Sequence, residues 1–158
     1  MTCRTKIEWT ETTWNPVTGC TKLSEGCRNC YAERMARRLK AMGQPNYVNG
    51  FALTVHEHML AAPMRWKRPQ RIFVNSMSDL FHQDVPLAFI RRVFDVMAQC
   101  PQHIFQVLTK RSERMMEDGK TLAWPENVWM GVTVESADYA FRIDHLRQTP
   151  TKVRFLSV

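Results

Sequence analysis

Three cysteines lie close together in this chain, and they are the residues best placed to do chemistry. Cys20, Cys27 and Cys30 stand in the segment Gly19-Cys20-Thr21-Lys22-Leu23-Ser24-Glu25-Gly26-Cys27-Arg28-Asn29-Cys30-Tyr31, a C-x6-C-x2-C spacing. Cys27 and Cys30 are near enough to share one metal centre, as such pairs do in zinc and iron–sulfur sites. Gly19 and Gly26 let the backbone turn tightly around it. A helix is expected directly after Cys30, and its first amides favour thiolates and an anionic cluster. Three thiolates leave one position of a four-ligand site open, which is where metal sites react. Two blander readings remain: a zinc knuckle completed by Cys3 or one of the five histidines, or plain buried cysteines.

The elements that must position these thiols are legible from Arg71 onward. Short runs rich in β-branched and aromatic residues alternate with helical patterns: Ile72–Val74, Ile104–Leu108, Val128–Val134 and Val153–Val158 read as buried strands. Leu87, Ile90, Phe94 and Met97 repeat at helical spacing, with Pro86 in the first turn and Cys100-Pro101 closing the helix. Ser112 is expected to cap a short helix through Met115 and Met116. Ser136 is expected to cap another, with Tyr139, Ile143 and Leu146 facing inward. Strand–helix–strand units of this length imply parallel strands. The fold class is therefore α/β: a parallel sheet or partial (β/α) barrel, with the cysteine loop near its start. Before Arg71, Trp9–Val17 holds one expected strand, and Tyr31, Met35, Leu39 and Met42 mark a helix ending at Gly43. Gln44–Gln70 reads as a long irregular insertion.

Length and composition narrow the function classes. A chain of 158 residues, 44% hydrophobic, suits one domain spanning 1–158 with a core that needs no disulfide staples. No apolar run is long enough to span a bilayer, and the N-terminus lacks a secretory pattern, so a cytoplasmic protein with reduced thiols is expected. The net charge of +7 attracts polyanions, nucleic acid first among them. Cys3 and Cys100 read as spare thiols, and His56-Glu57-His58 lacks the spacing of a zincin site.

Ile7-Glu8-Trp9-Thr10, Trp14-Asn15-Pro16-Val17-Thr18-Gly19-Cys20 and Gly26-Cys27-Arg28-Asn29-Cys30-Tyr31-Ala32-Glu33 resemble the phage-associated three-cysteine-motif family. So do Phe73–Phe81, Leu108-Thr109-Lys110-Arg111 and Val153–Val158. The resemblance covers essentially the whole chain. That family is in turn similar to radical-SAM enzymes. The resemblance implies a 4Fe–4S cluster on Cys20, Cys27 and Cys30, S-adenosylmethionine on the open iron, and a phage-encoded protein in the host cytoplasm. Family members continue past a segment like Leu156-Ser157-Val158, so a C-terminally shortened form is expected. Its last strand would then be an unpaired edge, covered by a loop, by a second copy in a homodimer, or by a larger partner.

Ligands of α/β folds collect beyond the carboxyl ends of the strands. Those ends carry Asn75, Ser76 and Asp79; Thr109 and Lys110, followed by Arg111; and Thr133 and Glu135. They are the candidate contacts to the cofactor, set against ordinary capping roles. Arg65, Trp66, Lys67 and Arg68 form a basic segment with one aromatic, suited to nucleic acid or a protein partner, or to a loop with Trp66 turned inward. Three functions follow. The first is a radical-SAM-like iron–sulfur protein acting on an unknown substrate, nucleic acid among the candidates. The second is a shortened phage protein that binds and inhibits a host defence or nucleic-acid-processing complex without catalysis. The third is a zinc-stabilised nucleic-acid-binding module.

Overall fold

The computed structural model describes residues 5–158, so Cys3 lies outside the described residues. Strand β1 (Thr12–Trp14) leads to a short strand β2 (Val17–Thr18), then to the cysteine loop and helix α1 (Tyr31–Ala41). The 44–70 segment is irregular as expected, with 3-10 turns and one short strand, β3 (Thr54–Val55), paired antiparallel with β2. Regular alternation follows: β4 (Arg71–Val74), α2 (Leu87–Ala98), β5 (Ile104–Thr109), α3 (Ser112–Gly119), β6 (Val128–Thr133), α4 (Phe141–Arg147) and β7 (Val153–Ser157). The five long-range strands form one parallel sheet in the order β1-β4-β5-β6-β7. The expected single strand over Trp9–Val17 is two, because the chain breaks pairing at Asn15-Pro16.

Period-two alternation divides the sheet. Trp14, Ile72, Val74, Phe105, Val107, Val128, Met130 and Val132 point to one face and pack with Ile90, Phe94 and Met97 of α2, Met115 of α3 and Leu146 of α4 in a single core. The opposite face carries Phe73, Gln106 and Trp129 in one row. It is covered in part by Trp9, whose indole meets Phe73 edge-on at 4.8 Å and Phe155 at 6.3 Å. A flat sheet would hold β4 and β7 about 14 Å apart. One indole touching a side chain from each means that the sheet curls toward this face. Gly131 permits the curl, since a Cβ there would stand 2.6 Å from the Phe155 ring. β7 is an edge strand with Leu156 45% exposed.

Helix α1 departs from the expected stripe. Tyr31 and Met42 are exposed, while Ala32 and Ala36 are buried and meet Met77, with Met35, Leu39, Tyr47 and Phe51 around them. Two alanines four residues apart let the helix approach closely, so the long side chains flank the contact and do not fill it. In α4 the buried residues are Arg142 and Leu146, with Tyr139 and Ile143 only half-buried. Ser112 is the first residue of α3 and not its cap; its hydroxyl lies 2.8 Å from His145 Nδ1. Ser136 precedes a 3-10 turn and makes no side-chain cap. No helix among the described residues is long and apolar enough to cross a membrane.

Candidate cofactor site at the cysteine loop

The loop is seated by Gly19. Its φ of +82° is left-handed, and a Cβ would stand 2.3 Å from the Ala52 carbonyl oxygen. Its N–H donates to Met77 O at 3.0 Å, and its own carbonyl accepts the Ser78 hydroxyl at 2.6 Å. Gly19→Ala is expected to cost about 1–2 kcal/mol for the backbone and about 1–3 kcal/mol for the collision, read as a lowered melting temperature. The far side of the loop is strapped to the end of β6. Ser24 Oγ donates to Glu135 Oε1 at 2.6 Å, and Gly26 lies against that carboxylate, where a Cβ would fall 2.6 Å from Oε1. Arg142, only 1% exposed, donates to Glu135 Oε2 at 2.8 Å and to Thr133 O at 2.7 Å.

Between these anchors lies a cleft of about 170 Å³ lined by all three clustered cysteines, with Asn75, Ser76, Asp79, Thr109, Lys110 and Thr133 from the carboxyl ends of β4, β5 and β6. Asp79 ties two strand ends together: its carboxylate accepts from Phe81 N, from Thr109 Oγ1 at 2.7 Å and from Lys110 N at 3.0 Å. Ser76 exchanges hydrogen bonds with the Asn15 side chain, which also accepts from Met77 N. Asn75 has φ +64° and is 2% exposed; its Oδ1 accepts from Val17 N, but its Nδ2 has no partner. A buried amide without an acceptor costs free energy, and a ligand filling the cleft would supply one. Glu135 does not line the cleft; it holds the cysteine loop.

The thiols differ. Cys20 Sγ lies 3.7 Å from an Arg111 Nη1, and its thiol is pushed up by burial, which the nearby guanidinium opposes only in part. Burial also pushes Cys27 up, but the backbone N–H groups of Leu23 and Ser24 and the charge of Lys110 outweigh it, so the net shift is downward toward thiolate. The help for Cys27 comes from the loop's own amides and not from α1. Among the described residues no three His, Cys, Asp or Glu side chains converge as a ligand set, so the thiols share a cleft without meeting at bonding distance. The donor chemistry fits a thiolate-held cluster: three soft ligands on a loop pinned at both ends, beside a polar cleft with an orphaned amide.

A family profile described as "Protein of unknown function (DUF5131)" matches residues 4–158. The chain belongs to the DUF5131 family. Among curated proteins there is no match. Three solved structures of spore photoproduct lyase share the fold: the enzyme complexed with dinucleoside spore photoproduct (TM-score 0.60), a cysteine-to-serine variant (TM-score 0.62) and a double variant with bound AdoMet and dinucleoside spore photoproduct (TM-score 0.61). Identity is 13% in each; the first two matches cover 99% of this chain and 46% of that one, the third 94% and 44%. The DUF5131 chain thus spans less than half the length of these structures. Its five-stranded parallel sheet with strand–helix alternation is similar to the fold of these structures.

Two features of the DUF5131 chain escaped the sequence. Arg142, a charged residue in the first turn of a short helix, gives no sign that it is buried beside the strap that holds the cysteine loop. His82 is fully buried, with Nε2 at 2.9 Å from Thr21 Oγ1 and Nδ1 accepting from Asp84 N, a neutral tautomer that carries its proton on Nε2. The basic segment lies elsewhere: Trp66 packs against the core beside His103, while Arg65, Lys67 and Arg68 are exposed just before β4, at the amino ends of the strands.

Proposed function

We propose that this chain is a radical-SAM-like iron–sulfur protein that acts on a nucleic acid. Cys20, Cys27 and Cys30 would hold a 4Fe–4S cluster, and the cleft beside them would hold S-adenosylmethionine. The observation that carries the reading is the shared cleft: three thiols and the unpartnered Asn75 amide line one cavity at the carboxyl ends of a curled parallel sheet. A reduced cluster held there would supply one electron for reductive cleavage of the sulfonium of S-adenosylmethionine.

The residues have separable jobs. Asn75 offers its amide N–H groups to a carboxylate or hydroxyl acceptor, and Ser76 and Thr133 add hydroxyls that can donate or accept. Lys110, with its ammonium 3.8 Å from Glu135, places positive charge beside an anionic ligand set. Asp79 orients Thr109 and Lys110 through hydrogen bonds. Two of the spore photoproduct lyase structures hold a dinucleoside spore photoproduct, and one of them also holds AdoMet, which supports the choice of cofactor and of substrate class for this chain.

Anaerobic purification and reconstitution test the reading. The expected product is a brown protein with about four irons and four sulfides per chain. Its reduced electron paramagnetic resonance signal should change when S-adenosylmethionine is added, and reduction should yield methionine and 5′-deoxyadenosine. A colourless protein with one tightly held zinc, or none, would overturn it. Asn75→Ala is expected to keep the iron while weakening S-adenosylmethionine binding by about ten- to a hundredfold, since one hydrogen bond to a charged group is worth roughly 1.5–3 kcal/mol; titration calorimetry on the reconstituted protein reads this.

A further inference from the structure

We infer that the outer rim of the cysteine loop is a track for single-stranded nucleic acid. The inference rests on the proposed function for its substrate class and adds a surface, a strandedness and a set of residues. Three clefts adjoin along the rim. One, of about 320 Å³, opens between Lys110 and Phe141; the second shares Leu23 and Tyr139 with it; the third shares Lys22 and Arg28 with the second and continues to Arg34. The rim therefore offers cations at Lys22, Arg28, Arg34 and Lys110, and rings at Tyr139 and Phe141. Arg28 and Arg34 are exposed and have no ion-pair partner among the described residues. Glu25, Glu33 and Glu113 lie on the same rim, and Glu33 pairs with Lys22 at 3.6 Å, so the positive excess is partial.

The rings are placed for stacking. The Arg142 guanidinium sits 4.3 Å from the Tyr139 ring centroid and, held by Glu135 and Thr133, fixes that ring in place; its buried Nε has no hydrogen-bond partner. Phe141 is 46% exposed beside it, and a large ring at the surface next to a cleft marks a contact site. Cations spaced along a groove, with aromatic faces between them, match a flexible phosphate backbone whose bases are free to stack, and a duplex hides those faces. An acidic peptide would use the cations and leave the rings idle. The track runs along the loop that carries Cys27 and Cys30, and its clefts share Lys110, Arg111 and Cys30 with the lining of the cysteine cleft.

Fluorescence anisotropy of the full chain, as purified, with labelled deoxythymidine and uridine ten-mers tests this at two salt concentrations. Removing Lys22, Arg28 and Arg34 together (each to Ser) is expected to weaken binding at least tenfold and to reduce the salt slope by about two. Tyr139→Ala with Phe141→Ala should weaken it about thirtyfold or more with the slope unchanged. The charge-matched control, Arg65, Lys67 and Arg68 each to Ser, should change binding less than twofold. Binding to either ten-mer with this pattern supports the track. Equal loss in the control, equal affinity for duplex, equal competition by polyglutamate, or no binding would overturn it. Iron content and S-adenosylmethionine cleavage are read separately, so failure of the track leaves the cluster assignment to stand or fall on its own data.

Discussion

Replacing any one of Cys20, Cys27 or Cys30 with alanine is expected to take the reconstituted chain from about four irons to fewer than one, while Cys3→Ala and Cys100→Ala keep full iron and sulfide. The three thiols act as a unit because the loop gives each a different anchor: Cys20 follows the pinned Gly19, Cys27 sits among the amides of Leu23 and Ser24, and Cys30 precedes α1. Losing one leaves two ligands, too few to hold a cubane against solvent and oxygen. Cys100 is buried in the main core, and burial alone pushes its thiol up, the signature of an inert cysteine. Iron and sulfide assays on the five single variants decide the matter; full occupancy in Cys27→Ala would sink the site.

Arg142→Met is expected to destabilise the fold by about 3 kcal/mol, because it strips the partner from a mostly buried carboxylate and leaves the desolvation of Glu135 only partly offset. The same variant should loosen the cysteine loop, which Glu135 holds through Ser24. Burial pushes the Glu135 carboxyl up, but the Ser24 hydrogen bond and the charges of Arg142 and Lys110 outweigh it, so its net position is below the ordinary glutamate value. A carboxyl depressed in the folded state contributes stability that is fully present above its unfolded value and is lost as pH falls through its folded value. Glu135→Gln should therefore lower stability at neutral pH and flatten the acid limb of the stability curve. Urea unfolding of both variants across the acid range measures each effect; an Arg142→Met chain as stable as the parent would show that the strap is dispensable.

The strands and helices after Arg71 could be read from their periodicity because each buries one face against a common core, and burial on one face writes a period into the sequence. The three cysteines were legible for a different reason: their chemistry is rare and their spacing short. What could not be read was set by contacts across the chain. Ala32 and Ala36 carry the close approach of α1, yet alanine is silent in a pattern built on large apolar residues. Glu135 looked like a ligand contact at a strand end; its role as the strap for residues 24–26 depends on a partner more than a hundred positions away. The basic segment at Arg65–Arg68 was visible as a run, whereas the cations of the rim come from the cysteine loop, α1 and the end of β5, and only the folded chain sets them side by side.

The contact between Gly131 and Phe155 also sets a rule for how this family can vary. A residue larger than glycine at 131 collides with the ring at 155, and a smaller residue at 155 leaves the Trp9 indole without one of its two rests. Positions 9, 131 and 155 are therefore expected to vary together although far apart in sequence. Relatives that gain a side chain at 131 are expected to have lost the ring at 155, and the residue at 9 should change with them. A survey of homologous sequences would show the three drifting together, with the single exchanges rare and short-lived.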